Sequence, residues 1–572
     1  MTGWRVLCGG LVFTAVVMIA AAGLATLAGR LELRGAWIAL ALGAAAGIMT
    51  ARGAAAPRQK ITWADTTMFV VFAVAAFRAF VWVIYEQGNE LKILSPHNLG
   101  DTALHLNLIV RWANGGAFWP DNPFLAGAAF AYHPGMDLWN AVLRIIGVPV
   151  YEGLRWTGLL GAAAAAAALW RWGRGFALAA FLFAGGLGAW AIVQTGTADI
   201  MQSETQWKNL FLTMLVTQRG LLYSLPATLV LMTVWRAQLS GKDGPRLPLM
   251  AQVALYTSMP FFNAPAFLFL SALLAACFVA GWSRGLQRPF FIVGLTSLIP
   301  ATWLVRMVTA NFTAGSAFRF APGWMQEDAG LWFWLWNFGI FLPLVAWLGV
   351  VLFRRGGGDR TDRVFYGVAA GTLLFCFTFL LAPWEWDNTK LIVWGYLALA
   401  PLLWDKLLAG RPAWLQVAAC LLLFTSGAAA LVTGLDARHG YKIADRAEMA
   451  DLQYMLRGMP LNARLACTPR FDHPVLLLGQ PVVMGHDGHL FSQGLDYTPV
   501  EAKLGILMNG EEGWRHAARD LRVQYLLWGP REAERWPQSK QPWKECAHRL
   551  GASKSGDLYL ITPCLLRDGD DD

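Results

Sequence analysis

Charge is what this sequence has least of: Asp, Glu, Lys and Arg make up 15% of its 572 residues, against about a quarter in ordinary soluble domains. With hydrophobic residues at 56%, that shortage excludes a wholly water-soluble globule. Cysteine is also scarce. The seven cysteines show no CxxC pair and no Cys/His zinc spacing, which excludes the common structural zinc modules. Four of them (Cys8, Cys277, Cys376, Cys420) lie in apolar runs as small hydrophobes. Cys467, Cys546 and Cys564 fall near the C-terminus; an oxidising compartment would allow one disulfide there, with Cys546 and Cys564 the candidate pair. No repeat of the inverted-transporter kind is evident. The apolar run Val6–Leu27 is followed by Arg30, Glu32 and Arg34 and then by another apolar run, so a retained anchor is expected rather than a signal peptide.

What is present instead is a series of apolar runs long enough to cross roughly 30 Å of hydrocarbon. The expected spans are 6–28, 36–50, 65–85, 154–172, 175–193, 221–238, 248–262, 264–282, 289–307, 331–353, 364–382, 390–408 and 413–434, about thirteen helices, with Pro260 and Pro265 breaking 248–282. The net charge of +9 does not mark a nucleic-acid partner, because the cations sit in short loops between the runs. Arg52/Arg58/Lys60, Arg171/Arg174, Arg236/Lys242/Arg246, Arg284/Arg288, Arg354/Arg355/Arg360/Arg363 and Lys406/Arg411 all fall on one side if the N-terminus is cytoplasmic. The expectation is a polytopic α-helical membrane protein with a cytoplasmic N-terminus.

The opposite side receives 86–153, 194–220, 308–330, 383–389 and everything after Leu435. After Asp436 charges and turn residues rise, short apolar runs appear (ARLACT, HPVLLLG, PVVMG, VQYLLWG, LYLIT) and helical patterns cover 445–457 and 499–508. This reads as a small C-terminal α/β periplasmic domain, closed by an acidic DGDDD tail. The organisation is then 1–64, two additional helices; 65–435, the main transmembrane module with its first outer loop 86–153; and 436–572, the α/β domain.

Chemistry is expected on the outer side. Asp101 and His105 sit four apart in DTALHLNLIVRWA, on one face of a helix whose apolar side would lie in lipid. The plainer reading of Asp101 is a helix cap. His133, in AYHPGMD, is either functional or part of a turn before its proline. With Glu204, these three would suit a divalent metal, although no spacing demands one. Lys208, Arg219, Arg319 and Lys390 interrupt a surface poor in positive charge and would suit a lipid phosphate. Arg219 and Lys390 are preferred because each starts a span. Arg78 either snorkels outward or faces a cavity. Asp387 and Asn388, in WEWDNTK, bind a sugar hydroxyl, brace Lys390 or cap a helix. In the tail, His473, His486, Asp487, His489 and Asp496 would line an acceptor platform; Gly479, Gly485, Gly488 and Gly494 favour the alternative of turns between strands.

With an acidic residue in GDTALH after the first helix of the module, a long first outer loop, many spans and an extracytoplasmic C-terminal domain, the chain resembles the GT-C glycosyltransferases. The strings YHPGMD, TQRGLLYSLP, WEWDNTK and HPVLLLGQPVVMGHDGHLFSQGLDY look like those of a poorly characterised bacterial branch. The resemblance implies placement in a bacterial inner membrane of the cell envelope, a polyprenyl-phosphate-sugar donor and a glycan, lipid or protein acceptor. It also implies Asp101 as general base or metal ligand, and cations that receive the departing lipid phosphate in one inverting step. The chain lacks the Asp-Glu pair of protein mannosyltransferases after the third span, and any WWD-type string of oligosaccharyltransferases. Rival readings are a transporter or flippase of a lipid-linked glycan, and a polysaccharide polymerase or ligase. A transporter should carry ionisable residues near the midplane; apart from Arg78, polar residues gather at one face.

Overall fold

The computed structural model describes residues 2–566 except 120, 200, 201, 203, 311–317, 327–329, 355, 356, 437 and 439; Arg355 and the DGDDD tail lie outside the described residues. The longer helices before the tail are α1 (Thr2–Ala28), α2 (Leu33–Gly53), α3 (Trp63–Val81), α4 (Asp101–Ala113), α5 (Gly135–Ile145), α6 (Val150–Leu182), α7 (Leu221–Ser240), α8 (Leu249–Phe262), α9 (Ala264–Trp282), α10 (Arg288–Val308), α11 (Gly330–Phe338), α12 (Phe341–Phe353), α13 (Arg360–Cys376), α14 (Thr389–Leu403) and α15 (Ala413–Gly434). Among the described residues, seven segments are long and apolar enough to cross a membrane, or eight if the bent pair α11–α12 is one span. This is fewer than the expected thirteen.

Local chemistry explains where these helices begin and break. Thr62 and Asp65 cap α3 reciprocally, and Asn263 accepts from the Ala266 amide where Pro265 opens α9. The expected spans 154–172 and 175–193 differ most from the structure. They form one helix, α6, interrupted at Gly173 and Arg174 and ended at Leu182. Beyond it the chain dives beneath α11 and α15: a Cβ on Gly186 would meet the Trp336 carbonyl at 1.9 Å, and one on Gly427 the Phe183 carbonyl at 2.1 Å. The expected span 331–353 is two helices bent by 89°.

The basic loops gather at one end of the bundle. Ala55 bridges Arg246, Arg174 donates to the Lys60 carbonyl, Arg236 and Lys406 both pair with Asp362, and Arg360 reaches Ser283. At the other end the first outer loop and the tail share structure. Glu90–Ile93 pairs antiparallel with both Tyr85–Gln87 and Tyr441–Asp445. A second sheet orders Leu465–Ala466, Tyr525–Trp528, Gly556–Leu560 and His548–Ser553, the first pair parallel and the others antiparallel. HPVLLLG, expected among the short runs, is a turn of helix at Pro474–Leu477 because Pro474 starts it and His473 caps it. Cys546 and Cys564 form a disulfide.

The largest departure concerns α4. Its expected lipid-facing side is covered, and Thr102–Trp112 are all buried. The reason is the tail. Asn107 donates to the carbonyls of Leu476 and Gln480, and Arg111 to Leu461 and Asn462, so polar groups on α4 are satisfied by protein rather than water.

Candidate active site

Asp101 opens α4 with its side chain 30% exposed, facing a cavity of about 550 Å³ between the helical bundle and the tail. Around it stand His97, Lys208, Gln218, Trp384, Trp386, Asp387, Lys390, His486 and His489, drawn from four segments far apart in the chain. Two groups bracket the carboxylate. His489 Nε2 lies 3.5 Å from Oδ1, and Gln218 Nε2 lies 3.5 Å from Oδ2. Burial pushes the Asp101 carboxyl up, but the contact and charge of His489 and the charges of His105 and Lys390 outweigh it and hold the group below the usual carboxylate range. It is therefore an anion at neutral pH, able to accept a proton.

The cations are incompletely matched. Lys390 pairs with Asp387 at 3.0 Å, while Lys208 has no carboxylate within ion-pair distance among the described residues. Arg219 is 6% exposed and also lacks such a partner among them. Burial pulls its guanidinium down, and the charges of Asp137, Tyr132 and Asp101 pull the other way. His133 is half-buried, with its Nδ1 enclosed and unpartnered; burial and the nearby Lys390 charge push its imidazole down to about 4. Likewise burial, then Lys208, push His97 down to about 4. Both rings are neutral near pH 7. Trp384 and Trp386 pack 5.4 Å apart at the rim.

Thus the structure brings Asp101, Lys208, Lys390 and Asp387 to one cavity and sets His105, His133 and Arg219 close behind it. His105 Nδ1 meets both oxygens of Asp137 at 2.9 Å, beneath Asp101 rather than open to the cavity. The remaining candidates stand elsewhere. Arg319 pairs with Glu385 at 2.6 Å and is 55% exposed. Arg78 donates to the Leu435 carbonyl and lies over Trp82, tying α3 to the end of α15. Asn388 holds the Leu381 amide and the Cys376 and Phe379 carbonyls, a backbone brace. Glu204 is exposed, its amide bonded to Asp199. Among the described residues no three His, Cys, Asp or Glu side chains stand close enough to hold a metal ion, so Asp101, His105, His133 and Glu204 are not gathered into one ligand set. In the tail, His486 and His489 line the cavity with Gly488. Asp487 pairs with His486 beside it. His473 instead pairs with Glu532 in the domain interior, and Asp496 accepts from the Thr498 amide.

Sequence reasoning did not find His97, Gln206 or Gln218 in the cavity lining, or the half-buried Tyr132 beside Arg219. Gln218 directly precedes Arg219 in TQRG, the only local signal it offers. No family model and no curated protein sequence matches this chain. Among solved structures it is similar to the apo form of the Archaeoglobus fulgidus oligosaccharyltransferase, with 10% identity over 82% of this chain and 69% of that one, at a TM-score of 0.45.

Proposed function

We propose that the protein is a membrane glycosyltransferase that moves a sugar from a polyprenyl-phosphate donor to an acceptor hydroxyl at the cavity. The observation that carries this reading is the meeting, in one cavity, of an ionised carboxylate with two lysines, of which Lys390 pairs with Asp387 and Lys208 has no acid among the described residues, and with the unmatched Arg219 close behind. A carboxylate there serves as general base, and unmatched cations serve as a phosphate site. Asp101 takes the proton of the acceptor hydroxyl as the acceptor oxygen bonds to the anomeric carbon. The bond from that carbon to the phosphate oxygen breaks, and its electron pair leaves with the lipid phosphate. Lys390, Lys208 and Arg219 stabilise the charge that develops there.

The cavity end is the periplasmic side in this reading. The basic loops at the other end favour the cytoplasm, and the Cys546–Cys564 disulfide belongs in an oxidising compartment. The reading is tested with purified full-length protein and defined polyprenyl-phosphate sugars. Asp101→Asn, with wild-type thermal stability, is expected to lower transfer about 100-fold or more; transfer at the wild-type rate would end the assignment.

A further inference from the structure

We propose that His489, delivered by the C-terminal domain, is the residue that positions Asp101 for catalysis; this rests on the reading of Asp101 as general base. The geometry around the pair is specific. His489 stands 3.5 Å from Oδ1 of Asp101 and occupies the space a side chain at position 100 would need: a Cβ on Gly100 would lie 3.1 Å from its Nε2. The ring also meets His486 edge to face, with centroids 5.2 Å apart, and His486 is itself held by Asp487 at 2.9 Å. The imidazole therefore fits against a glycine and a second imidazole with its nitrogen toward the carboxylate.

The backbone reaching this point is also fixed. Val482–Gly485 is laced to the first outer loop: Val482 donates to the Pro123 carbonyl, Ala126 to Val483 and Gly485 to Phe124. Arg464 adds bonds to the carbonyls of Val482 and Asn122. These bonds end one residue before His486, so the loop that carries Asp101 also holds the segment that carries His489. With one carboxylate oxygen facing His489 and the other facing Gln218, the plane of the carboxylate is set from both sides. Both contacts are long, 3.5 Å, as catalytic hydrogen bonds often are before substrate binds.

The experiment uses full-length protein, polyprenyl-phosphate-linked hexoses and pentoses as donors, and the variants His489→Ala, His489→Gln and Gly100→Ala, each checked for wild-type melting. His489→Ala is expected to lower kcat about tenfold or more with donor KM nearly unchanged, as misplacement of a reacting group does. His489→Gln, which keeps an N–H donor, should recover most of that loss, and Gly100→Ala, which displaces the ring, should resemble His489→Ala. Unchanged kcat in His489→Ala, a rise in KM alone, or a loss that Gln does not recover overturns the positioning role while leaving Asp101 as base. Full activity of Asp101→Asn, or no transfer by wild type from any of these donors, overturns the parent reading and this inference with it.

Discussion

The two ends of the helical bundle each hold a charged cavity, yet they handle charge in opposite ways. At the basic end a cavity of about 460 Å³ is lined by Arg171, Arg174, Arg236 and Lys242. Arg174 meets Asp65, Arg236 meets Asp362 and Lys242 meets Asp359, while Arg171 lies over the face of Trp4. Lys406 joins the same Asp362 at 2.8 Å. At the other end Lys208 and Arg219 have no such acid among the described residues, and the His133 Nδ1 is unpartnered. A matched network stitches helices together; an unmatched one is prepared for an anion that arrives from outside. Richness in arginine and lysine therefore does not mark the candidate site. Nor does one unpartnered cation, since Arg171 at the basic end also has its Nε and Nη2 without partners; what sets the candidate site apart is two cations beside Asp101 that have no acid among the described residues.

That contrast can be broken most forcefully at Asp362, whose removal leaves both Arg236 and Lys406 without their acid. Asp362→Ala is expected to destabilise the protein by about 3 kcal/mol or more, read as a lower melting temperature in detergent. Donor affinity of the protein that remains folded should be unaltered. A paired acid of the same kind lies in the C-terminal domain. Glu532 is buried, and burial pushes its carboxyl up. His473 and the Thr468 amide oppose this and bring it from 4.5 down to about 2. Its folded value lies below its unfolded one, so its stabilisation is present above about pH 4.5 and is lost as pH falls toward 2, about 3 kcal/mol in all. Glu532→Gln should remove that part of the acid dependence, as followed by unfolding curves between those pH values. The smallest effects distinguish the two ends directly. Lys208→Ala, at the lysine without an acid, should weaken donor binding about tenfold, whereas Lys242→Ala, at an exposed pair, should change neither donor binding nor stability by more than about 0.5 kcal/mol. Equal effects of these two lysines on donor affinity would abolish the distinction between the ends.

Much of the layout was legible in advance. Apolar runs long enough to span hydrocarbon, and cations confined to alternate loops, are properties of composition along the chain, and the helices follow them closely. Leu33–Gly53 is longer than the expected 36–50, because Arg52 and Gly53 prolong the helix past the apolar run. The misses have a common cause. The 175–193 run is apolar enough to span, but two glycines, Gly185 and Gly186, let its backbone pass against Gly427 of α15 and Trp336 of α11 instead. The amphipathic pattern of α4 reads as a lipid-facing helix until the tail is seen to cover it.

At the candidate site, Asp101, Lys208 and Lys390 were legible because a charge in a nearly chargeless chain stands out. Arg78 and Arg319 stood out for the same reason, yet they serve as a brace and a surface pair, since their partners, the Leu435 carbonyl and Glu385, lie 357 and 66 residues away. His489 shows the limit most clearly. Within HDGHLF it is one histidine in a glycine-rich turn.

The sequence by itself determined that the chain is a helical membrane protein with its spare polar chemistry at one end, because burial of apolar runs and exclusion of charge from hydrocarbon are local, additive demands. Only the tertiary structure decided which charges are matched and which are free, and which imidazole faces Asp101. Pairing depends on distances between segments that no local pattern encodes.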